Sequence, residues 1–117
     1  MNNEDFEKLK GKLLRFRDQR DWKQFHDPKN LAEGLTIEAA ELLENFLWKT
    51  PADSRTLSDR EKQRVREELA DIFAFLIYLC HELDIDLVEA ANQKIEINRR
   101  KYPVHKAKGK STKYNDL

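Results

Sequence analysis

The chain has 117 residues, the size of one ordinary domain, and its 22 basic and 22 acidic side chains cancel to a formal net charge of zero. A domain of that length buries roughly two thirds of the surface its unfolded chain exposes, so one core is expected. Zero net charge argues against a nucleic-acid binder held by bulk electrostatics. The start Met1-Asn-Asn-Glu-Asp-Phe-Glu lacks the basic and apolar regions of a signal peptide, and no stretch reaches the ~20 apolar residues of a membrane span. The single cysteine, Cys80, lies in an apolar run. It excludes an intrachain disulfide and fits a reducing, cytoplasmic setting.

Three glycines, three prolines and apolar residues spaced three and four apart predict an all-α chain. The expected protomer is four-helix bundle-like over residues 1–102, with a basic tail over 103–117. The first helix is predicted from about Asn3 to Arg20, with Phe6, Leu9, Leu13 and Phe16 as its stripe. A loop follows, in which Asp27 before Pro28 reads as an N-cap with proline at the first helical position. The second helix should reach Trp48 or Lys49 and bury Leu31, Leu35, Ala39, Leu42 and Phe46.

Thr50-Pro-Ala-Asp-Ser54 reads as a turn, and Ser58-x-x-Glu61 is a capping-box pattern that starts the third helix near Asp59. Its stripe of Val65, Leu69, Ile72, Leu76, Leu79 and Leu83 widens after Asp71 until nearly every face is apolar. Burial all round is expected, with a second subunit covering what one chain cannot. Asp86-x-x-Glu89 opens the fourth helix, which Pro103 stops after about Lys101. In the tail from Lys101, five lysines (101, 106, 108, 110 and 113) face Asp116 alone, a formal +4 that leaves −4 for residues 1–100. This tail is expected to be extended.

Two acidic pairs carry the chemistry. Glu38-x-x-Glu41 and Glu68-x-x-Asp71 sit in the two most apolar helical stretches, and residues three apart share a helix face, so each pair forms a two-carboxylate claw. Asp71 is the only charge in Asp71-Ile-Phe-Ala-Phe-Leu-Ile-Tyr-Leu-Cys80, and a buried lone carboxylate is costly unless paired or metal-bound. Four such groups offer hard oxygen ligands to Mg2+, with Mn2+ as a substitute, and Mg2+ commonly takes substrate phosphate as well. The competing reading is surface salt bridging in a chain that is 38% charged. Position favours the site, because Glu38 lies in line with Leu31, Leu35 and Leu42, while Asp71 borders Ile72 and Phe75. Glu44, one step beyond Glu41, either extends the cluster or is solvated.

Trp22, Phe25 and His26 in the loop, with Trp48 at the far end of the second helix, suit stacking on a nucleobase. Read without context, they serve equally as plugs at the ends of the bundle. Lys94, Asn98 and Tyr102 fall at i, i+4 and i+8. Such a stripe of cation, amide and hydroxyl suits the phosphates and sugar of a nucleotide, and is otherwise a solvated helix face.

In combination, Glu38-x-x-Glu41, 26 residues, then Glu68-x-x-Asp71 resembles the E-x-x-E…E-x-x-D signature of the MazG-like, all-α nucleoside triphosphate pyrophosphohydrolases. Arg20-Asp-Trp-Lys-Gln-Phe-His26, Pro28-Lys-Asn-Leu31, Glu38-Ala-Ala-Glu-Leu-Leu-Glu44 and Asn98-x-x-x-Tyr102-Pro103 are similar to the dCTP pyrophosphatase branch of that family. The resemblance implies that Glu38, Glu41, Glu68 and Asp71 bind Mg2+, with Glu38 or Glu41 as the general base. It implies that Lys94, Asn98 and Tyr102 hold the nucleotide and that Trp22, Phe25, His26 and Trp48 form the base pocket. It further implies cleavage between the α- and β-phosphates of dCTP or a modified dCTP, in a homotetramer or dimer that keeps nucleotide pools clean. Phe75 stands where relatives can carry a more polar aromatic, which bears on base preference. The rival readings are action on dUTP or phosphoribosyl-ATP, and a non-catalytic helical interaction module.

Overall fold

Helix caps set the boundaries of this chain, and the N-caps Asp27, Ser58 and Asp86 stand where the sequence pattern puts them. The structure, a computed structural model, describes residues 2–117. It is all-α, with five α-helices and three short 3-10 turns and no strand among the described residues. None of these helices is long and apolar enough to cross a membrane.

Helix α1 (Asn3–Gln19) begins where the Asn2 side chain accepts the Asp5 N–H at 2.8 Å. It ends in a Schellman arrangement: Asp21 takes φ 54, the Trp22 N–H donates to the Arg17 carbonyl and the Asp21 N–H to that of Asp18, both at 3.1 Å. Helix α2 (Pro28–Glu44) has Asp27 as N-cap, accepting the Asn30 N–H at 2.9 Å. Helix α3 (Asp59–Glu82) carries the full capping box, with Ser58 and Glu61 exchanging two 3.1 Å bonds. Helix α4 (Leu87–Lys101) is capped by Asp86.

Two boundaries differ from expectation. Helix α2 stops at Glu44 instead of reaching Trp48 or Lys49. The backbone tightens there into i→i+3 bonds from Asn45 to Leu42 and from Phe46 to Leu43, while the Asn45 side chain donates to the Glu41 and Leu42 carbonyls. An asparagine that competes for helical carbonyls, with Pro51 ahead, favours termination. The tail is also not simply extended. Pro103 ends α4 but then serves as N-cap to a one-turn helix, α5 (Val104–Ala107), and Tyr114–Asp116 forms a 3-10 turn.

The chain divides into two compact units, one running to Asp84 and the other covering Ile85–Leu117. The division falls at Asp84, a residue with φ 53 just past the α3 C-cap. In the first unit, α1 and α2 both pack on α3. The α2–α3 pair is antiparallel: Gly34 lies against Phe75 at one end, and Lys49 Nζ meets Glu61 Oε2 at 2.6 Å at the other. Glu61, Glu68 and Phe75, seven apart, form the line on α3 that faces α2, since seven residues return to about the same face after two turns.

The core is small. Leu31, Ile77 and Tyr78 are its buried apolar residues, joined by Arg17 at 3% exposure. Arg17 Nη1 bonds Glu82 Oε1 at 3.2 Å and its Nε bonds Asp18 at 2.9 Å, while the Tyr78 hydroxyl donates to the Leu13 carbonyl at 3.2 Å. The bonds to Glu82 and from Tyr78 fasten α1 to the last turns of α3. Of the expected α2 stripe, Leu31 is buried and Leu35, Leu42 and Phe46 are half-buried, but Ala39 is exposed. At 100° per residue Ala39 lies about 80° around from Leu31, whereas Glu38 lies about 20° away. The carboxylate, not the alanine, therefore occupies the packed face.

Candidate active site

Position on that face explains the behaviour of the acids. One carboxylate oxygen from each of Glu38, Glu41 and Glu68 falls within 4.8 Å of the other two. Glu38 and Glu68 are half-buried, and Oε2 of each is shielded from solvent without a hydrogen-bond partner. Burial, then the nearby Glu68 carboxyl and the charges of Glu41 and Asp71, push the Glu38 carboxyl up to about 7. An arrangement with two shielded, unpartnered acid oxygens is costly as it stands.

Asp71 is placed differently from the other three. It is exposed, not buried as its apolar surroundings implied, and stands outside the group of converging oxygens. Its charge nevertheless reaches Glu38. Glu44 is exposed and lines a cavity of about 430 Å³ together with Glu41, Asn45, Glu61, Arg64, Glu67 and Glu68.

Glu61 shows what a committed acid looks like beside this. Its Oε2 meets the Lys49 ammonium and its Oε1 accepts the Ser58 N–H, and these contacts, Lys49 foremost, hold its carboxyl down to about 2. That glutamate is occupied in capping α3. Glu38 and Glu68 have no such employment, and an all-oxygen, multiply acidic set of this kind fits a hard divalent cation. The residues present thus suit the metal implied by their pattern.

The aromatic residues separate into different settings. The Trp22 ring, 44% exposed, packs edge-on to Phe16 at 5.7 Å, and the Arg20 guanidinium lies 3.6 Å over the other ring of that pair, Phe16. Phe25 is exposed. His26 is half-buried, with its ring 4.6 Å from that of Tyr78 and its Nδ1 buried without a partner. Burial, then the Arg17 charge, hold His26 below the usual imidazole range against the opposing pull of Glu82. Trp48 is 93% exposed and plugs nothing within this chain.

Lys94, Asn98 and Tyr102 belong to the second unit. Lys94 and Asn98 lie on α4, but Tyr102 is its C-cap, with φ −123 and ψ 67, its N–H bonded to the Asn98 carbonyl at 2.8 Å. The stripe predicted over three positions is helical over two. The pairing of buried Arg17 with half-buried Glu82 was not among the expectations. An arginine four residues beyond Leu13 on the apolar stripe of α1 was the available signal. The contact of Tyr114 with Tyr102 was likewise not among the expectations.

A family model described as MazG-like matches residues 34–117, a span that contains all four acids, Trp48, Lys94, Asn98 and Tyr102. Proteins named dCTP pyrophosphatase 1 from Bos taurus and Homo sapiens are each 42% identical to this chain over 104 residues. That stretch is 87% of this chain but 62% and 61% of those proteins, so the chain spans less than two thirds of their length. The crystal structure of a pyrophosphatase from Archaeoglobus fulgidus is similar at a TM-score of 0.82 and 41% identity, covering 88% of this chain and 96% of that one.

Proposed function

The chain belongs to the MazG-like family, and from that premise we propose that it is a Mg2+-dependent nucleoside triphosphate pyrophosphohydrolase acting on dCTP or a modified dCTP. The observation that carries this reading is the pair of shielded, unpartnered oxygens on Glu38 and Glu68 beside Glu41. A non-catalytic interaction module has no use for such an arrangement, which costs stability and returns nothing without a cation. The names of the relatives supply the cytosine preference.

In this reading Glu38, Glu41, Glu68 and Asp71 hold Mg2+, for which Mn2+ can substitute. The bound ion would neutralise charge on the triphosphate. Glu38 or Glu41 takes the proton of the water that attacks the α-phosphorus in line, and pyrophosphate departs. Lys94, Asn98 and Tyr102 hold phosphates and sugar, and Trp22, Phe25, His26 and Trp48 wall the base. The enzyme works in the cytoplasm as a homo-oligomer, a dimer or tetramer, clearing unwanted nucleotides.

Pyrophosphate release from dCTP, dUTP, phosphoribosyl-ATP and the other nucleotides, with and without Mg2+, tests the proposal. Activity should require the metal, favour a cytosine nucleotide and vanish in Glu68→Gln and Asp71→Asn. In Ca2+, which supports little turnover, Trp22→Ala and Trp48→Ala should each weaken nucleotide binding roughly five- to 150-fold through loss of a stacking face. Bare pyrophosphate should bind them normally and should be weakened by Lys94→Ala. Full turnover in excess chelator would refute the metal assignment.

A further inference from the structure

The final segment of the chain is mostly charged and polar, yet it returns to the end of α4. Gly109 takes φ +77 with open space where a Cβ would stand, and a left-handed turn of this kind is what glycine permits. The Lys110 N–H donates to the Ala107 carbonyl at 3.0 Å. Beyond it, the 3-10 turn Tyr114–Asp116 brings the Tyr114 ring edge-on to Tyr102, with centroids 6.0 Å apart and planes at 80°. Lys101 Nζ stands 4.5 Å over the Tyr114 ring. Tyr102, Tyr114 and Lys101 thus form one cluster within the second unit.

Tyr102 needs such support more than its neighbours do. Lys94 and Asn98 are helical, so the helix sets the direction in which their side chains leave the backbone. As the C-cap, with ψ 67, Tyr102 has left that register. The residue is 36% exposed, and a mobile side chain must be immobilised when a ligand binds. An edge-on aromatic partner supplies that restraint beforehand.

We propose that Tyr114 is a positioning residue that holds the Tyr102 ring in its nucleotide-receiving orientation, making the C-terminal segment part of the scaffold of the substrate site. This rests on the assignment of Tyr102 to the nucleotide made above. The contact is between rings, so phenylalanine at position 114 preserves it and alanine removes it.

The test uses the full chain, with calorimetric binding of dCTP in Ca2+ and steady-state rates in Mg2+. Tyr114→Ala should weaken binding and raise KM by about three- to tenfold, the loss of one edge-on aromatic pair, with kcat within about twofold of the parent. Tyr114→Phe should restore both. In a Tyr102→Ala background, Tyr114→Ala should add nothing further, which a general loss of stability would not reproduce. If Tyr114→Ala fails to fold, Tyr114→Leu, which keeps bulk without an aromatic edge, carries the same comparison. Normal binding by Tyr114→Ala beside impaired Tyr102→Ala overturns the inference, as does a loss that persists in full in the Tyr102→Ala background. Normal binding by Tyr102→Ala itself would instead refute the nucleotide role of Tyr102, and this inference would fall with it.

Discussion

Glu38 is the residue at which packing and chemistry meet. Its place on the face shared with Leu31 and Leu42 shields Oε2 and lifts the carboxyl from 4.5 to about 7. The folded chain therefore holds this proton more tightly than the unfolded chain does. The resulting stabilisation is complete below the unfolded value near 4.5 and is lost as pH rises through about 7. The melting temperature of the metal-free protein should fall across that window, and Glu38→Gln should flatten that part of the profile, as read by scanning fluorimetry at stepped pH. Divalent metal binding competes with the same proton, so its affinity should strengthen as pH passes through 7. A pH profile that Glu38→Gln leaves unchanged would show that the shielding is without consequence. Trp48 makes a second point at this scale: a tryptophan 93% exposed is free to meet something other than its own chain.

At the scale of the element, the acids of α2 and α3 converge because the two helices approach closely in antiparallel register. Gly34 makes that approach possible, since a Cβ there would stand 2.5 and 2.7 Å from two carbons of the Phe75 ring. Gly34 is one turn before Glu38, and Phe75 is one turn past Asp71. A large side chain at position 34 must therefore move either the ring or the helices beside the acids. Gly34→Leu should destabilise the fold by about 1–3 kcal/mol through overpacking, measured as a lowered urea midpoint, and Phe75→Ala in the same background should recover part of the loss. Additive losses in the double variant would mean that the two residues are not each other's constraint. Caps explain why helix starts were readable: Asn2, Asp27, Ser58 and Asp86 each accept the N–H three residues on. The end of α2 was harder, because it depends on the Asn45 side chain choosing helical carbonyls over solvent.

For the whole molecule, the informative quantity is the apolar surface that one chain leaves uncovered. Helix α3 was expected to need a second subunit around Ile72–Leu83, and within the chain only Ile77 and Tyr78 of that stretch are buried, the other apolar residues being half-buried and Leu83 exposed. Large apolar side chains are also uncovered on α2 and in the turn after it, where Ile37, Leu43, Leu47 and Trp48 are between 53% and 93% exposed. Apolar patches of this kind mark interfaces. Light scattering should report a dimer or tetramer, and Leu43→Glu with Leu47→Glu should shift it towards monomer. A stable, fully active monomer at micromolar concentration would contradict an assembly built on this face.

The sequence by itself determined the all-α class, the helix starts and the pairing of the candidate acids, because these depend on local chemistry: a cap bonds within three residues, and a claw needs only i, i+3 spacing. Tertiary structure alone decided which acids converge. Glu38, Glu41 and Glu68 meet while Asp71 stays exposed, since the rotation of α3 against α2 is set by contacts such as Gly34–Phe75 between residues far apart in the chain. The same holds for Glu61, which shares the acidic cavity yet is tied to Lys49 and Ser58, and for Tyr114, which reaches Tyr102 only because the chain reverses near Gly109. Spacing names the donors, but the distance between helices determines which of them can act together.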